Sequence, residues 1–232
     1  MPAAPIVPDD LRTKLLRVRA LVLDVDGVLT DGTLTFDEDG RELKSFDVKD
    51  GLGLVLLRDL GYRIGLISSR TSKVVAMRCR DLKIPEECVM QGELDKASAF
   101  DRLLGKWGFE PFEAVAVGDD LPDLGMMRRA GVGACPSDAV SIVKDAAALH
   151  LTKPGGGGAV RELCDLILEI RAADEPPRST PAQREADAQA QRQAEAAAAM
   201  REDAVVQALQ SRLDARGQSV RPRDVASLND GE

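Results

Sequence analysis

A short apolar strand that ends in two aspartates and a glycine constrains this chain more than any other feature. Residues 21–23 are Leu, Val and Leu, and Asp24, Asp26 and Gly27 follow them. An uninterrupted apolar run is typical of a strand that is buried on both faces of a parallel sheet. Ligands bind beyond the carboxyl ends of such strands. Two carboxylates there repel each other and attract a divalent cation; the alternative is a turn with two solvated aspartates.

Further along the chain, short apolar strand patterns alternate with helical patterns. This alternation predicts an α/β fold, with a Rossmann-like parallel sheet between layers of helices. After the first strand, residues 33–36 and 42–46 alternate apolar and polar side chains around Asp39-Gly40, which predicts a β-hairpin flap. The predicted strands are 63–68, 87–90, 114–117 and 131–134, and the predicted helices are 9–18, 51–60, 71–82, 95–107, 122–130, 138–146 and 159–171.

The composition changes near residue 173, which divides the chain into a domain and an extension. Residues 1–173 are predicted to form the folded domain, and the Pro-rich segment 174–181 a linker. Residues 182–216 are rich in Ala, Gln, Glu and Arg, which predicts a solvated helix. Its few apolar residues leave a weak coiled-coil contact as an alternative. Residues 217–232 are predicted to be disordered.

Charge and residue usage limit the classes of partner and compartment. The net charge of −8 argues against a nucleic acid partner, because phosphate backbones require clustered Lys and Arg. No stretch is long and apolar enough for a signal peptide or a membrane span, so we expect a cytoplasmic protein. The four cysteines are widely spaced, which is typical of reduced thiols. With a single histidine, His150, acid–base chemistry falls to carboxylates or lysines.

Three further features at or beyond the predicted strand ends could each serve phosphate binding. Ser68 ends the strand 63–68, where a hydroxyl and free backbone amides can hold phosphate oxygens. Lys96 begins a helix and can hold a transferring phosphoryl group, although a surface lysine is the alternative. An acidic cluster follows the strand 114–117, and Mg²⁺ is the cation that suits such oxygens. That cluster consists of Asp119, Asp120 and Asp123.

These features together resemble the motifs of the haloacid dehalogenase (HAD) superfamily of phosphatases. Asp24, Asp26 and Thr30 match its Asp-x-Asp-x-x-x-Thr pattern, and Ser68 and Lys96 match its next two motifs. The acidic cluster after the strand 114–117 matches the fourth. The hairpin, residues 46–51, 117–120 and 158–162 are similar to the branch that contains 3-deoxy-D-manno-octulosonate 8-phosphate phosphatase. The resemblance covers residues 11–171 and implies a HAD-like fold without a large cap.

The resemblance implies a role for each matched residue. Asp24 would attack phosphorus and form an aspartyl-phosphate, and Asp26 would act as general acid and then general base. Ser68 and Lys96 would hold the phosphoryl oxygens. Asp24, the backbone carbonyl of Asp26 and Asp119 would hold Mg²⁺, with Asp120 and Asp123 adjusting that metal site. Lys49, Arg70 and Arg78 match cationic positions that contact either the substrate carboxylate or a neighbouring subunit.

The resemblance also implies a substrate and an assembly, and it leaves alternatives open. The implied substrate is the eight-carbon sugar acid 3-deoxy-D-manno-octulosonate 8-phosphate, and the implied assembly is a homotetramer in which four hairpins form a barrel. One arginine of the family is replaced here by Gly157, so a nine-carbon sialic-type sugar acid phosphate is the alternative substrate. A non-catalytic oligomerisation or regulatory module is a further alternative. A phosphotransferase is disfavoured because no cap-sized insertion separates Asp31 from Ser68.

Overall fold

The computed structural model describes residues 7–174 and the single residue Gln189. The predicted linker begins at residue 174, but Asp174 still belongs to the last helix of the domain. The rest of the linker, the tail, and the Ala-rich helix except for Gln189 lie outside the described residues. Among the residues described, no helix combines the length and apolar composition that crossing a membrane requires.

The described part of the chain is an α/β domain whose centre is a six-stranded parallel sheet. The strands follow the order β5-β4-β1-β6-β7-β8, and a separate two-stranded antiparallel sheet is formed by β2 and β3. The strands are β1 Ala20–Leu23, β2 Thr35–Phe36, β3 Glu42–Leu43, β4 Arg63–Ser68, β5 Val89–Gln91, β6 Ala114–Val117, β7 Val132–Cys135 and β8 Leu149–His150. The helices are α1 Asp9–Arg17, α2 Val48–Asp59, α3 Lys73–Asp81, α4 Lys96–Trp107, α5 Leu124–Arg129, α6 Ser141–Ala146 and α7 Ala159–Asp174. The predicted fold class is confirmed.

Strand β1 lies at the centre because both of its faces are apolar. Successive side chains of a strand point to opposite faces, and every residue of β1 is buried. Leu21 and Leu23 belong to one hydrophobic cluster, and Ala20 and Val22 belong to the other. Each face of the sheet therefore has its own core, and the polar residues that follow β1 lie at the edge of the sheet between the two cores.

The structure refines several predicted boundaries. Helix α2 begins at Val48, three residues before the prediction, because Asp47 caps it by accepting a 2.6 Å hydrogen bond from the backbone N–H of Lys49. The segment predicted as one helix over 122–130 is a 3₁₀ turn, Leu121–Asp123, followed by α5. Strand β8 was not predicted, since two residues at the edge of a sheet carry no readable alternation.

The Gly-rich loop before α7 packs directly on the loop that carries the first aspartates, and this contact makes a testable prediction. A Cβ atom at Gly155 would overlap the backbone carbonyl of Gly27 and lie 3.1 Å from the carbonyl oxygen of Thr30. We expect Gly155→Ala to lower the free energy of unfolding by about 2–4 kcal/mol in urea denaturation, because backbone atoms must shift. Gly105→Ala is the matched control, since nothing lies within 4 Å of its Cβ position in α4. It should be neutral or slightly stabilising.

Candidate active site

The predicted site residues meet at the carboxyl edge of the sheet, where β1, β4 and β6 end side by side. Leu23 pairs with Leu66 of β4 and with Val117 of β6. The residues at or just beyond the ends of these strands therefore converge, and they include Asp24, Ser68 and Asp119. Asp24 and Ser68 are buried.

A tight turn after β1 makes the side chains of Asp24 and Asp26 point in different directions. The backbone N–H groups of Leu29 and Thr30 both donate to the carbonyl of Val25, at 2.9 and 3.1 Å. Gly27 adopts φ = +90°, a conformation that side chains disfavour. A Cβ atom on Gly27 would also overlap the carboxylate of Asp119. Only glycine at this position lets the turn approach Asp119.

One buried lysine joins two of the carboxylates. The ammonium of Lys96 lies 2.7 Å from Oδ1 of Asp24 and 2.6 Å from Oδ1 of Asp123, and its side chain is only 3% exposed. The other oxygen of Asp123 accepts hydrogen bonds from the backbone N–H groups of Asp119, at 2.9 Å, and Asp120, at 3.2 Å. Asp123 thus ties the loop after β6 to α4.

The third carboxylate, that of Asp119, has an oxygen with no protein partner. Its Oδ1 is buried and makes no hydrogen bond. Asp24, Asp119 and Asp123 each offer an oxygen atom within 4.8 Å of those of the others. Three carboxylates and the single ammonium of Lys96 leave two uncompensated negative charges. Because a buried unpaired carboxylate is costly, this arrangement fits a divalent cation with a preference for oxygen ligands, such as Mg²⁺.

The raised pKa values of the clustered carboxylates indicate that the site has too little positive charge to stabilise all of them in the ionised form. Burial, and then the negative charge of Asp123, raise the pKa of Asp24 to about 7, although Lys96 opposes the shift. Burial and the charges of Asp123 and Asp24 raise the pKa of Asp119 to about 7 as well. A cation bound among these oxygens would favour the ionised forms.

These shifts predict how Mg²⁺ affects stability at different pH values. Because the folded-state pKa values of Asp24 and Asp119 lie above their ordinary value of 3.8, ionising them costs folding free energy as the pH rises from about 4 to about 7. We expect the metal-free domain to lose stability across that window. The increase in Tm on replacing EDTA by Mg²⁺ should be several degrees at about pH 8 and much smaller at about pH 5. An equal increase at both pH values would contradict the assignment.

The carboxylate of Asp26 points away from the cluster, towards the hairpin. It forms an ion pair with the ammonium of Lys44, and its Oδ2 lies 3.8 Å from Nε of Arg70. The hydroxyl of Thr30 lies 3.5 Å from its Oδ1. The side-chain hydroxyl of Ser68 accepts a 3.1 Å hydrogen bond from the backbone N–H of Arg70. Arg70 is thus the predicted cation that reaches the predicted acid–base residue.

Other predicted residues lie elsewhere in the described chain. Lys49 and Gly157 line a cavity of about 570 Å³ beside α7. Arg78 packs under the start of α2, where it donates to the carbonyl of Asp47 at 3.4 Å. The carboxylate of Asp120 accepts a 2.7 Å hydrogen bond from the backbone N–H of Leu121. In the described chain Lys49 and Arg78 make no hydrogen bond or ion pair with the cluster of Asp24, Asp119 and Asp123, whereas the negative charge of Asp120 contributes to raising the pKa of Asp119.

Three functional candidates were not identified from the sequence. Glu42 lies in β3 and Lys44 directly follows this strand in the second arm of the hairpin, and both reach Asp26 or its partner Arg70. A charged pair at i and i+2 in a strand is the signal that could have revealed them. Asp50 is the third; it is buried and accepts a 2.7 Å hydrogen bond from the backbone N–H of Arg161 at the start of α7.

Comparisons with known proteins agree with this geometry. Residues 83–162 match the model of the haloacid dehalogenase-like hydrolases. The 3-deoxy-D-manno-octulosonate 8-phosphate phosphatase KdsC of Escherichia coli K12 is 38% identical over 162 residues, which cover 70% of this chain and 85% of that protein. The Yersinia pestis phosphatase of the same name superposes with a TM-score of 0.69 at 35% identity, covering 72% of this chain and 89% of that one. The Moraxella catarrhalis phosphatase of that name, solved with magnesium, phosphate and KDO, has a TM-score of 0.68 at 36% identity and covers 71% and 93%.

Proposed function

This chain belongs to the haloacid dehalogenase-like hydrolases, and we propose that it is a Mg²⁺-dependent phosphatase of 3-deoxy-D-manno-octulosonate 8-phosphate. The observation that carries the proposal is the cluster of buried Asp24 and Asp123 with half-buried Asp119, which has one lysine and a buried unpaired carboxylate oxygen. The structural relative that holds magnesium, phosphate and KDO together supports the same cofactor and substrate.

The proposed hydrolysis has two half-reactions, as the resemblance implies. In the first, an oxygen of Asp24 attacks phosphorus, the ester P–O bond breaks, and Asp26 gives its proton to the departing sugar oxygen. In the second, Asp26 takes a proton from water, whose oxygen attacks the aspartyl-phosphate and releases phosphate from Asp24. Lys96 and Ser68 hold the phosphoryl oxygens throughout.

The metal site is assigned to Asp24, Asp119 and the backbone carbonyl of Asp26, with Asp123 and Asp120 in supporting positions. Bound Mg²⁺ supplies positive charge that offsets the repulsion between the phosphate and the carboxylates. Asp123 is bonded to Lys96 and to two backbone N–H groups, so we assign it to holding Asp119 and Lys96 in place. Asp120, which caps the following 3₁₀ turn, positions the same loop.

The described chain also favours water as the phosphoryl acceptor. Between Asp31 and Ser68 it contains only the small hairpin, α2 and β4. These elements are too small to form a cap that excludes water, so hydrolysis rather than transfer to a second sugar follows. The nine-carbon sugar acid phosphate is not favoured, because the named relatives are phosphatases of the eight-carbon compound.

The experiment that tests the proposal is a comparison of kcat/KM for phosphate release from a panel of phosphorylated sugars, with Mg²⁺ and with EDTA. The panel includes the eight-carbon and nine-carbon sugar acid phosphates and glucose 6-phosphate. We expect the eight-carbon compound to be preferred by at least about tenfold, and EDTA to abolish release. Preference for the nine-carbon compound would overturn the substrate. A folded protein that binds Mg²⁺ but releases no phosphate would overturn the activity and favour a non-catalytic module.

We further propose that the chain is a homotetramer, as the resemblance implies. Exposed apolar side chains on two adjoining elements support this assembly. The hairpin exposes Leu34, Phe36 and Leu43, and one face of α2, together with its C-cap residue, exposes Val48, Leu52, Leu56 and Leu60. The α2 residues recur at every fourth position and form one stripe, which would be costly to leave in water.

Light scattering after gel filtration tests the assembly. We expect the wild-type chain to elute as a tetramer, and Leu52→Glu to shift it towards smaller species, because a charge in a buried apolar contact must be desolvated. Met77→Glu is the matched control: this residue is 61% exposed on α3, away from the stripe. A monomeric wild-type chain would contradict the assembly without affecting the assignment of the phosphatase site.

The phosphatase domain is proposed to be residues 1–173, and a cytoplasmic location is proposed from the cysteines. All four are buried free thiols, which suits a reducing compartment. Burial raises the pKa of the Cys79 thiol to about 11, so it is unreactive near neutral pH. The four are Cys79, Cys88, Cys135 and Cys164.

A further inference from the structure

The inner face of the hairpin carries two charged side chains into the site. Glu42 and Lys44 lie two residues apart in the second arm of the hairpin and contact each other on its inner face, whereas Leu43 between them is 51% exposed. The side chain of Lys44 is only 1% exposed. Burying an ammonium is costly unless carboxylates surround it. The contacts of Lys44 therefore indicate the role of the hairpin in the site.

Lys44 belongs to a closed ring of four charges. Its ammonium forms ion pairs with Oδ1 of Asp26 and, at 3.3 Å, with Oε1 of Glu42. Arg70 completes the ring, with Nη2 at 3.0 Å from Oε1 of Glu42 and Nε at 3.8 Å from Oδ2 of Asp26. Two members come from the hairpin and two from the loops after β1 and β4. The ring is neutral overall, so it can be buried without an external ion.

Asp24 and Asp26 therefore each have their own buried lysine. Lys96 contacts Asp24 from α4, and Lys44 contacts Asp26 from the hairpin. The two lysines differ in what else they hold. Lys96 bridges to Asp123 of the metal cluster, whereas Lys44 bridges only to Glu42, a residue outside the cluster. Lys44 thus acts on the proton-transfer residue alone.

We propose that Lys44 is a positioning residue for Asp26, and that the hairpin is thereby part of the active site of its own chain. The ion pair holds Oδ1 of Asp26 against the hairpin and so fixes the orientation of its carboxyl group. Without Lys44, Asp26 keeps only the longer contact with Arg70 and the weak contact with Thr30. The carboxyl group would then rotate away from the departing sugar oxygen. This proposal rests on the proposed phosphatase function.

The test separates the proton-transfer step from all others by the choice of leaving group. A sugar alkoxide needs a proton from Asp26 to leave, whereas the phenolate of p-nitrophenyl phosphate leaves without one. Rapid-quench measurement of alcohol release in a single turnover reports the first half-reaction alone. The variants are Lys44→Met and Lys44→Arg, and Arg41→Met is the control. Arg41 is a 74% exposed cation of the same hairpin that pairs with Asp37 and Asp39.

We expect Lys44→Met to slow sugar release by about 10–100-fold and to leave p-nitrophenol release within about threefold of wild type. KM for the sugar phosphate should stay unchanged. Lys44→Arg, which keeps a cation, should recover part of the loss, and Arg41→Met should match wild type with both esters. The preserved p-nitrophenol rate shows that the variant is folded with its centre assembled.

Two results would overturn the proposal while the phosphatase function stands. An equal loss with both esters would mean that Lys44 supports only the structure of the hairpin. A change confined to KM would mean that Lys44 binds the sugar and does not orient Asp26. If the wild-type chain hydrolyses neither ester, the proposed function fails, and the role of Lys44 fails with it.

Discussion

Replacing Asp24 by asparagine is expected to lower kcat for phosphate release by at least about 10⁴-fold. The amide has the same shape but cannot attack phosphorus, so the aspartyl-phosphate cannot form. The fold should survive, because the Asp24 carboxylate is destabilised by burial and by the charge of Asp123. Steady-state assays with Mg²⁺, together with thermal melts of the same samples, measure both expectations.

Asp31→Asn is the matched control for this variant. Asp31 lies in the same loop, is exposed, and accepts a 3.0 Å hydrogen bond from the backbone N–H of Thr33. It should keep wild-type turnover. If Asp24→Asn kept full turnover, the nucleophile would be a different group, and the assignment of the centre would be wrong.

Replacing Lys96 by methionine is expected to have the largest effect on stability. The change leaves Asp24 and Asp123 buried without a counter-charge, and breaking a buried pair in this way costs about 3–5 kcal/mol. The loss should be larger at about pH 8 than at about pH 5, because protonating the carboxylates relieves their repulsion. Turnover should fall as well, since the phosphoryl oxygens lose a cation. Urea denaturation at the two pH values measures the effect.

Lys106→Met, an exposed lysine near the end of the same helix, is the control and should change stability by no more than about 0.5 kcal/mol. Saturating Mg²⁺ should restore part of the stability of Lys96→Met, because the cation replaces some of the lost positive charge. A variant as stable as wild type in EDTA at both pH values would show that the carboxylates of Asp24 and Asp123 are not held together in the folded protein.

Much of this fold could be predicted because its signals are local. Strand β1 is apolar on both faces and ends at Asp24, and β6 is read in the same way up to Asp119. In a parallel sheet such strand ends must lie at one edge, so convergence of Asp24, Ser68 and Asp119 follows from the topology alone. The membership of the HAD superfamily that these motifs indicated is confirmed.

The directions of long side chains could not be predicted in the same way. The resemblance implies that Arg78 and Lys49 occupy cationic positions that contact the substrate or a neighbouring subunit. In the structure, however, Arg78 stacks 5.7 Å over the ring of Phe46, and Lys49 lines the cavity beside α7. Lys44 reaches Asp26 only because the hairpin folds back over the loop after β1. Such contacts join residues that are far apart along the chain, and no periodicity records them.

Acid quenching during turnover, followed by mass spectrometry of the peptides, tests the central claim most directly. With the eight-carbon substrate and Mg²⁺, the account predicts phosphate as an acyl-phosphate on Asp24 of the wild-type chain. It also predicts its absence in Asp24→Asn and in EDTA. Turnover that continues while phosphate is found on another residue, or on none in a rapid-quench time course, would contradict an aspartyl-phosphate mechanism at this centre.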